Sequence, residues 1–342
     1  MKKHLSKRNE MVNKRLMESW GYKEKNVSLD EEGAADIVAA DKEAAAFMKA
    51  GNAKLGPYVE LLKKIQNDPE FRAIANAGLT DGNPSDEALT TKEADVRAAD
   101  LRPTQAEIGL DQSLSDQMLD KWDNTAAALS EPIALNAPGG KTPLLVFNGK
   151  YILDGHHRWS QVMMTNPTGL VKIYSIAGNA LKTEEDALKI MNLAIAATAT
   201  QPLVTNDFEG ENLYRVGPET IFKYVVDNMS EKVIKLFLQA GKMPEQPGEK
   251  WKKYYKKYRA ERQKPLSPEY EKYLEPLAAY YTNNFNAFKA FGPGTHARIA
   301  GMPQAGDAGL KQADVNNYLK QGKVNYVDPK PTDFKRDGDE EK

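Results

Sequence analysis

The pattern of apolar and polar positions in the middle of the chain predicts a β-hairpin followed by a helix. Apolar runs at Leu144–Phe147 and Lys150–Leu153 flank Asn148–Gly149. An Asn-Gly pair between two such runs is a strong hairpin signal, because both turn residues must adopt positive φ. Helical spacing begins after Asp154 and is predicted to end at Pro167. The apolar face of this helix consists of Trp159, Val162 and Met163.

Further segments complete a predicted central region. Val96–Arg102 predicts a short strand that Pro103 ends, and Ser113 is a predicted N-cap of the helix that follows. The other predicted elements are an edge strand at Glu131–Asn136, a strand at Leu170–Ile176 and a helix at Glu184–Thr198.

The flanks of this region have helical patterns. An Ala-rich N-terminal part leads to a breaker cluster at Asp81–Ser85, and residues beyond 205 carry apolar stripes at helical spacing. We therefore expect an α+β protein, with a small mixed-sheet domain flanked by helical regions. The expected parts are a helical N-terminal region (1–95), the mixed-sheet domain (96–200) and a helical, basic and aromatic C-terminal region with an extended tail (201–342).

Composition excludes several classes of function. The 342 residues contain 47 Lys and Arg against 48 Asp and Glu, which excludes a globally basic nucleic-acid coat. The chain has no Cys, which excludes disulfides, thiolate zinc sites, iron–sulfur clusters and cysteine nucleophiles. There is no run of 18 apolar residues, and the basic start is not followed by an apolar segment. We expect no membrane partner and a location in the cytoplasm or inside a particle.

The chemical signal is concentrated in the DGHHR motif, Asp154–Arg158. Two of the four histidines in the chain lie here side by side. We expect Asp154 to cap the helix and Gly155 to let another group approach the backbone. His156, His157 and Arg158 then lie in the first turn, where free N–H groups and the helix dipole favour an anion. In the alternative interpretation Asp154 only caps, His157 packs and Arg158 pairs with a surface acid. Adjacent histidines on a helix point about 100° apart, which disfavours a shared metal ion.

A hairpin followed by DGHHR and an amphipathic helix resembles the ParB/sulfiredoxin fold. The DGHHR form is similar to nucleotide-binding members of that superfamily, including the free-serine kinases. Leu101–Leu114 resembles the first box of the fold, which lies across the nucleotide site. The resemblance implies that the phosphates of ATP, ADP or CTP rest on Asp154–Arg158, usually with Mg²⁺. Sulfiredoxin chemistry needs a Cys and is therefore excluded.

The same resemblance assigns roles to individual residues. It implies nucleotide contacts from Gly155, His156, His157, Arg158 and Gln105. Asp154 would be a general base or a Mg²⁺ ligand, with His156 and His157 beside it in the catalytic set. Kinase-like members carry a catalytic Glu after a Pro in the first box, where this chain has Gln105. Either Glu107 acts as the second carboxylate, or phosphotransfer is lost.

A basic and aromatic segment is a second candidate site. Lys250–Lys264 has eight basic residues and one acid, with four aromatic rings interleaved. Lys252, Lys253, Lys256 and Lys257 are candidates for contacts with DNA phosphates, and the rings for base stacking. The alternative is an amphipathic helix whose rings lie in the core and whose lysines are solvated. Pro138–Thr142 lacks the spacing of a phosphate loop.

These observations leave three functional hypotheses. The first is a nucleotide-dependent, Mg-dependent phosphotransferase or hydrolase. The second is a DNA-associated ParB-like protein that uses a nucleotide as a switch. The third follows from the flanks, which together with the HARIAGMPQAG segment resemble phage-encoded ParB-like proteins. In that case the domain is a scaffold among other phage structural proteins, in the host cytoplasm or the virion.

Overall fold

The computed structural model describes most of the chain from residue 89 onward. The described residues are 89–120, 123–130, 133, 136–137, 140–141, 143–178, 182–198, 210–294 and 310–321. The predicted N-terminal helical region lies outside them up to residue 88. Most of the predicted edge strand at Glu131–Asn136 also lies outside them, although Ile133 forms a parallel bridge with Val171.

Within these residues the fold contains seven strands and ten helices. The strands are β1 (Thr90–Arg97), β2 (Arg102–Pro103), β3 (Asn136–Ala137), β4 (Gly140–Lys141), β5 (Leu144–Phe147), β6 (Tyr151–Asp154) and β7 (Leu170–Ala177). The helices before residue 200 are α1 (Leu110–Leu119), α2 (Asn124–Leu129), α3 (His156–Thr165) and α4 (Glu184–Thr198). The later helices are α5 (Pro218–Asn228), α6 (Glu231–Gln239), α7 (Glu249–Glu261), α8 (Pro268–Glu271), α9 (Leu274–Lys289) and α10 (Gln312–Lys320).

Five of the strands form one mixed sheet in the order β1-β7-β5-β6-β2. The pairs β1/β7 and β5/β6 are antiparallel, whereas β5/β7 and β2/β6 are parallel. The expected α+β class and mixed sheet are therefore confirmed. Strands β3 and β4 form a separate two-stranded ribbon.

The predicted hairpin joins β5 to β6. Asn148 and Gly149 have φ of 50° and 64°, which is the backbone that the Asn-Gly pair predicts. The Gly149 N–H donates to Ser175 Oγ at 2.9 Å, so the turn is also tied to β7. The turn is thus held both by its own hairpin and by β7. Asp154 lies at the C-terminal end of β6, directly before α3.

The predicted strand at Val96–Arg102 is wrong in its position. The strand is β1, which ends at Arg97, and Ala98–Asp100 forms a 3₁₀ helix. β1 consists mostly of exposed polar residues and is held through its backbone by β7, so apolar alternation does not reveal it. Pro103 lies inside the two-residue strand β2, where the sheet edge tolerates a residue without an N–H.

The predicted N-cap at Ser113 is also wrong, because α1 begins three residues earlier at Leu110. The Ser113 hydroxyl donates to the Gly109 carbonyl at 2.7 Å and lies 2.7 Å from Ser160 Oγ. The Ser113 side chain thus binds the residue just before α1 and connects α1 to α3, instead of capping a helix.

Helices cover both faces of the central strand pair. Leu144 and Val146 of β5 belong to a large core with α3, whereas Leu145 and Phe147 belong to a second core with α4 and α10. All four residues of β5 are buried, as expected for a continuous apolar run with two covered faces.

The C-terminal helices share the large core with the sheet. Phe222 and Val225 of α5 and Phe288 of α9 lie in the same cluster of buried residues as Val146 and Trp159. In the described part of the chain, no helix combines the length and apolar character needed to cross a membrane.

Helix α7 has its aromatic face toward this core. Trp251 stacks on Phe222 at a centroid distance of 5.0 Å with the ring planes 6° apart, and Tyr258 is buried. The interpretation of Lys250–Lys264 as an amphipathic helix with rings in the core therefore fits the geometry. Trp251, Tyr254 and Tyr255 are partly buried against the same core.

This packing predicts that substitutions on the two faces of α7 destabilise the fold to different extents. Trp251→Ala should destabilise the fold by about 2 kcal/mol, because it removes a partly buried ring from the core. Replacing Lys252, Lys253, Lys256 and Lys257 together by Gln should cost less than about 1 kcal/mol, because all four are exposed. Urea unfolding of both variants measures this, and a larger cost for the lysine variant would contradict the assigned faces.

Candidate functional site

The DGHHR motif spans the end of β6 and the start of α3. Asp154 is the last strand residue, and the N-cap position belongs to Gly155, which has φ of 99°. The predicted N-cap at Asp154 is therefore wrong, because the N-cap residue of α3 is Gly155. A Cβ on Gly155 would lie 2.6 Å from Leu144 Cδ2 and 2.9 Å from Arg158 Nη2, so the close approach predicted for Gly155 is present.

His156 joins the start of α3 to the segment that follows β2. Its Nε2 accepts hydrogen bonds from the N–H groups of Thr104 at 3.1 Å and Gln105 at 3.3 Å. The imidazole is 4% exposed. An imidazole accepts at Nε2 only when that nitrogen carries no proton, so this ring is neutral with its proton on Nδ1.

His157 makes an equivalent contact further along the same segment. Its Nε2 accepts from the Gly109 N–H at 3.1 Å, just before α1 begins. The two adjacent rings therefore bind opposite ends of residues 104–109, which we call the clamped loop. This divergence agrees with the expectation that the two histidines do not share one metal ion. The Nε2 atom of each ring is committed to the loop.

Arg158 and Asp154 form an ion pair within the motif. Arg158 Nη2 donates to Asp154 Oδ2 at 3.0 Å, and Arg158 Nη1 lies 3.4 Å from the Pro143 carbonyl oxygen. The same Oδ2 atom accepts a second hydrogen bond, from Asn316 Nδ2 of α10 at 3.0 Å. The side chains of Arg158 and Asp154 are 11% and 22% exposed, so solvent screens the pair only in part. The alternative in which Arg158 pairs with an acid is thus correct about the pairing, and the acid belongs to the motif.

The clamped loop contains both candidates for a second acidic or amide group. Gln105 is partly buried, and Glu107 is only 3% exposed. The loop is covered from the other side, because the Gly294 N–H donates to the Gln105 carbonyl at 3.0 Å. A Cβ on Gly294 would lie 2.1 Å from the Thr104 carbonyl carbon, so only glycine allows this approach of two backbones.

Arg102 contacts Phe291, which lies three residues before Gly294. Its guanidinium lies 4.6 Å from the centroid of the Phe291 ring and donates to the carbonyls of Ala99 and Leu101. Burial lowers the pKa of Arg102, and the nearby Asp100 carboxylate opposes that effect. Phe291 also contacts Trp159 of α3 edge-on at 6.0 Å. Phe291 therefore connects β2, α3 and the start of the covering segment.

The site offers few side chains that could bind a metal ion. Among the described residues there is no group of three or more His, Asp or Glu side chains able to hold an ion. Asp154, the predicted metal ligand, directs one carboxylate oxygen to Arg158 and Asn316. These residues do not fit a metal held by protein ligands, and a Mg²⁺ ion here would depend on phosphate oxygens and water for most of its coordination.

Two of the four lysines of the second candidate site pair with nearby acids. Lys252 pairs with Glu249 at 2.5 Å, and Lys257 lies 3.5 Å from Glu219. Lys253 and Lys256 are exposed. Neighbouring acids thus offset part of the positive charge, and the segment is mainly a solvated helix face.

Sequence reasoning missed several residues that build the site. Thr104 and Gly109 contribute backbone N–H groups, and Gly294 contributes a backbone contact, so side-chain type carries little signal for them. Asn316 lies 162 positions from Asp154 in the chain. Its burial beside Val315 and Leu319 is seen only in the structure, because the local sequence pattern does not indicate it.

The buried contact of His156 predicts a stability difference between the two histidines. His156→Leu should destabilise the fold by about 1–3 kcal/mol, because it leaves the buried Thr104 N–H without its acceptor. His157→Leu should cost less, since the His157 ring is only partly buried, whereas the His156 ring is 4% exposed. Urea unfolding gives both values, and amide hydrogen exchange at Thr104 is the direct readout. Equal costs and unchanged exchange would contradict the clamp.

Comparisons of this chain with protein-family models, with curated proteins and with solved structures find no match in any of the three. The chemistry of the site therefore has to be argued from its own geometry.

Proposed function

We propose that this protein binds the phosphates of a nucleotide such as ATP, ADP or CTP at the start of α3. One observation carries the proposal: a ten-residue helix begins at Gly155, an N-cap with left-handed backbone and no side chain of its own, and Arg158 lies in its first turn. The first-turn N–H groups and the helix dipole favour an anion, and a cation in that turn is unfavourable for the helix alone. The resemblance to the ParB/sulfiredoxin fold supports the same ligand.

Arg158 would supply the positive charge of the phosphate site. Its guanidinium has five N–H donors; Nη2 donates to Asp154, and Nη1 donates to the Pro143 carbonyl. A planar guanidinium matches phosphate geometry better than an ammonium group does, and it stays charged at every physiological pH. His156 and His157 would contribute indirectly, by holding the clamped loop beside the helix start.

The geometry favours binding over phosphotransfer. Asp154, which would be the base, accepts hydrogen bonds from both Arg158 and Asn316 on one oxygen. Glu107 is buried, and the position that resembles the catalytic Glu of kinase-like members holds Gln105. A Gln does not accept a proton, so it cannot act as a general base. We therefore favour a nucleotide-dependent switch over a phosphotransferase, because a switch does not require Asp154 or Glu107 to move into a catalytic position.

A scaffold role, as in a phage structural protein, is the second candidate. It is favoured by the contacts of the motif, whose four polar side chains all bind groups within the chain: Asp154, His156, His157 and Arg158. A fold of this kind does not by itself imply a ligand. In this case the motif would serve to join β6, α3, the clamped loop and α10.

A nucleotide panel tests the first candidate. ATP, ADP, CTP and GTP, each with and without Mg²⁺, should include at least one that raises the melting temperature by several degrees, because a ligand that binds only the folded state stabilises it by about 2.7 kcal/mol at 100 times its Kd. Arg158→Gln should remove that shift, whereas Arg97→Gln, an exposed arginine at the end of β1, should keep it.

Circular dichroism establishes that both arginine variants fold. Absence of any shift at millimolar concentrations would refute nucleotide binding and leave the scaffold role, in which Arg158→Gln lowers the melting temperature of the free protein alone. A shift that persists in Arg158→Gln would place the nucleotide elsewhere.

Asp154→Asn separates a switch from an enzyme. We expect this variant to keep nucleotide binding, because Asn retains an acceptor for Arg158, and we expect no hydrolysis by either protein. The measurement is phosphate release with each nucleotide, in parallel with Glu107→Gln. Turnover by the wild type that Asp154→Asn abolishes would overturn the switch form and establish a phosphotransferase or hydrolase.

A further inference from the structure

The C-terminal helix α10 contributes a side chain to the DGHHR motif. Asn316 Nδ2 donates to Asp154 Oδ2 at 3.0 Å, and Arg158 Nη2 donates to the same oxygen at 3.0 Å. Two donors from different parts of the chain therefore converge on one carboxylate oxygen. Carboxylate oxygens accept more than one hydrogen bond, so the two contacts are compatible.

The orientation of the Asn316 amide is set by its own helix. Gln312 Nε2 donates to Asn316 Oδ1 at 2.9 Å, which places the amide oxygen toward Gln312 and the NH₂ group toward Asp154. Asn316 is 7% exposed, so its amide is largely shielded from water. A shielded donor whose orientation is fixed binds a carboxylate more strongly than an exposed one.

Helix α10 is docked firmly enough to hold this amide in place. Val315 and Leu319 lie in the second core together with Phe147 of β5. Lys320 places its ammonium group 4.2 Å from the centroid of the Tyr174 ring of β7. The helix is thus packed against the face of the sheet opposite α3, and Asn316 reaches the motif from there.

We propose that Asn316 is a positioning residue of the anion site: by holding the Asp154 carboxylate, it fixes the orientation of the Arg158 guanidinium that binds the same oxygen. The proposal rests on phosphate binding at the start of α3. It makes α10 part of the site, so ligand binding at the motif and docking of α10 support each other, because such coupling is reciprocal.

The donor role distinguishes Asn316 from a residue that only fills space. Asn316→Asp keeps the shape of the side chain and replaces the donor by a charged acceptor opposite Asp154. The two carboxylates repel each other, and the added negative charge also disfavours a phosphate. If Asn316 only packed, Asn316→Asp would weaken ligand binding no more than the same change at Asn317, which adds the same charge.

The binding experiment uses the full chain and the nucleotide that gives the largest stabilisation. Isothermal titration should give a Kd about tenfold weaker for Asn316→Asp, which corresponds to about 1.4 kcal/mol. Asn317→Asp is the matched control: it makes the same change on the next, exposed residue of α10, and it should stay within about twofold of the wild type. The double variant Asp154→Asn with Asn316→Asp restores one donor and one carboxylate, and it should recover most of the lost affinity.

Equal Kd values for Asn316→Asp and Asn317→Asp would overturn the proposal, as would a double variant no better than Asn316→Asp. A second arm needs no ligand, so it decides the matter even if nucleotide binding fails. Asn316→Ala, Arg158→Gln and their combination form a double-mutant cycle in urea unfolding. The folding equilibrium constant of the combined variant should differ at least threefold from the product of the single effects. Additive effects would show that Asn316 does not act on Arg158.

Discussion

The need to satisfy buried backbone N–H groups organises the centre of this protein. The loop at residues 104–109 connects β2 to α1 and lies outside the described helices and the five-stranded sheet, so its amides bind acceptors from elsewhere in the chain; the Ile108 N–H, for example, donates to Asn212 Oδ1. His156 and His157 supply the missing acceptors at the two ends of this loop. A buried N–H without a partner costs about 1–3 kcal/mol, which is a large part of the net stability of a domain. The pair of histidines therefore has a structural reason to exist at this helix start.

That constraint also shapes what the site can bind. An imidazole that accepts at Nε2 is neutral, so the two rings add no positive charge to the first turn of α3. The positive charge is left to Arg158, and Asp154 at 3.0 Å offsets much of it. An anion would bind by sharing Arg158 with Asp154, or by displacing Asp154 toward Asn316. Either change is transmitted to α10, since Asn316 binds the same carboxylate oxygen.

The sequence predicts those parts of the fold that depend on local rules. The Asn148–Gly149 turn depends on two residues that tolerate positive φ, and the apolar face of α3 depends on helical spacing. Asp154 was a reasonable cap by type, but Gly155 allows the chain to turn between strand and helix, which moves the N-cap by one residue. β1 could not be identified from alternation, because it is held through its backbone and its side chains are mostly exposed. The DGHHR motif can be identified from the sequence as a candidate site; its partners Thr104, Gly109 and Asn316 lie too far away in the chain for any local pattern to indicate them.

The C-terminal part of the chain meets the motif from two sides. Gly294 lies against the backbone of Thr104 on the clamped loop, and Asn316 binds Asp154 at the end of β6. Both contacts restrict the residue type. Position 294 must lack a Cβ atom, and position 316 must carry an amide donor. These two contacts join the sheet, the clamped loop and the C-terminal segment, so a ligand bound at the start of α3 would act on all three.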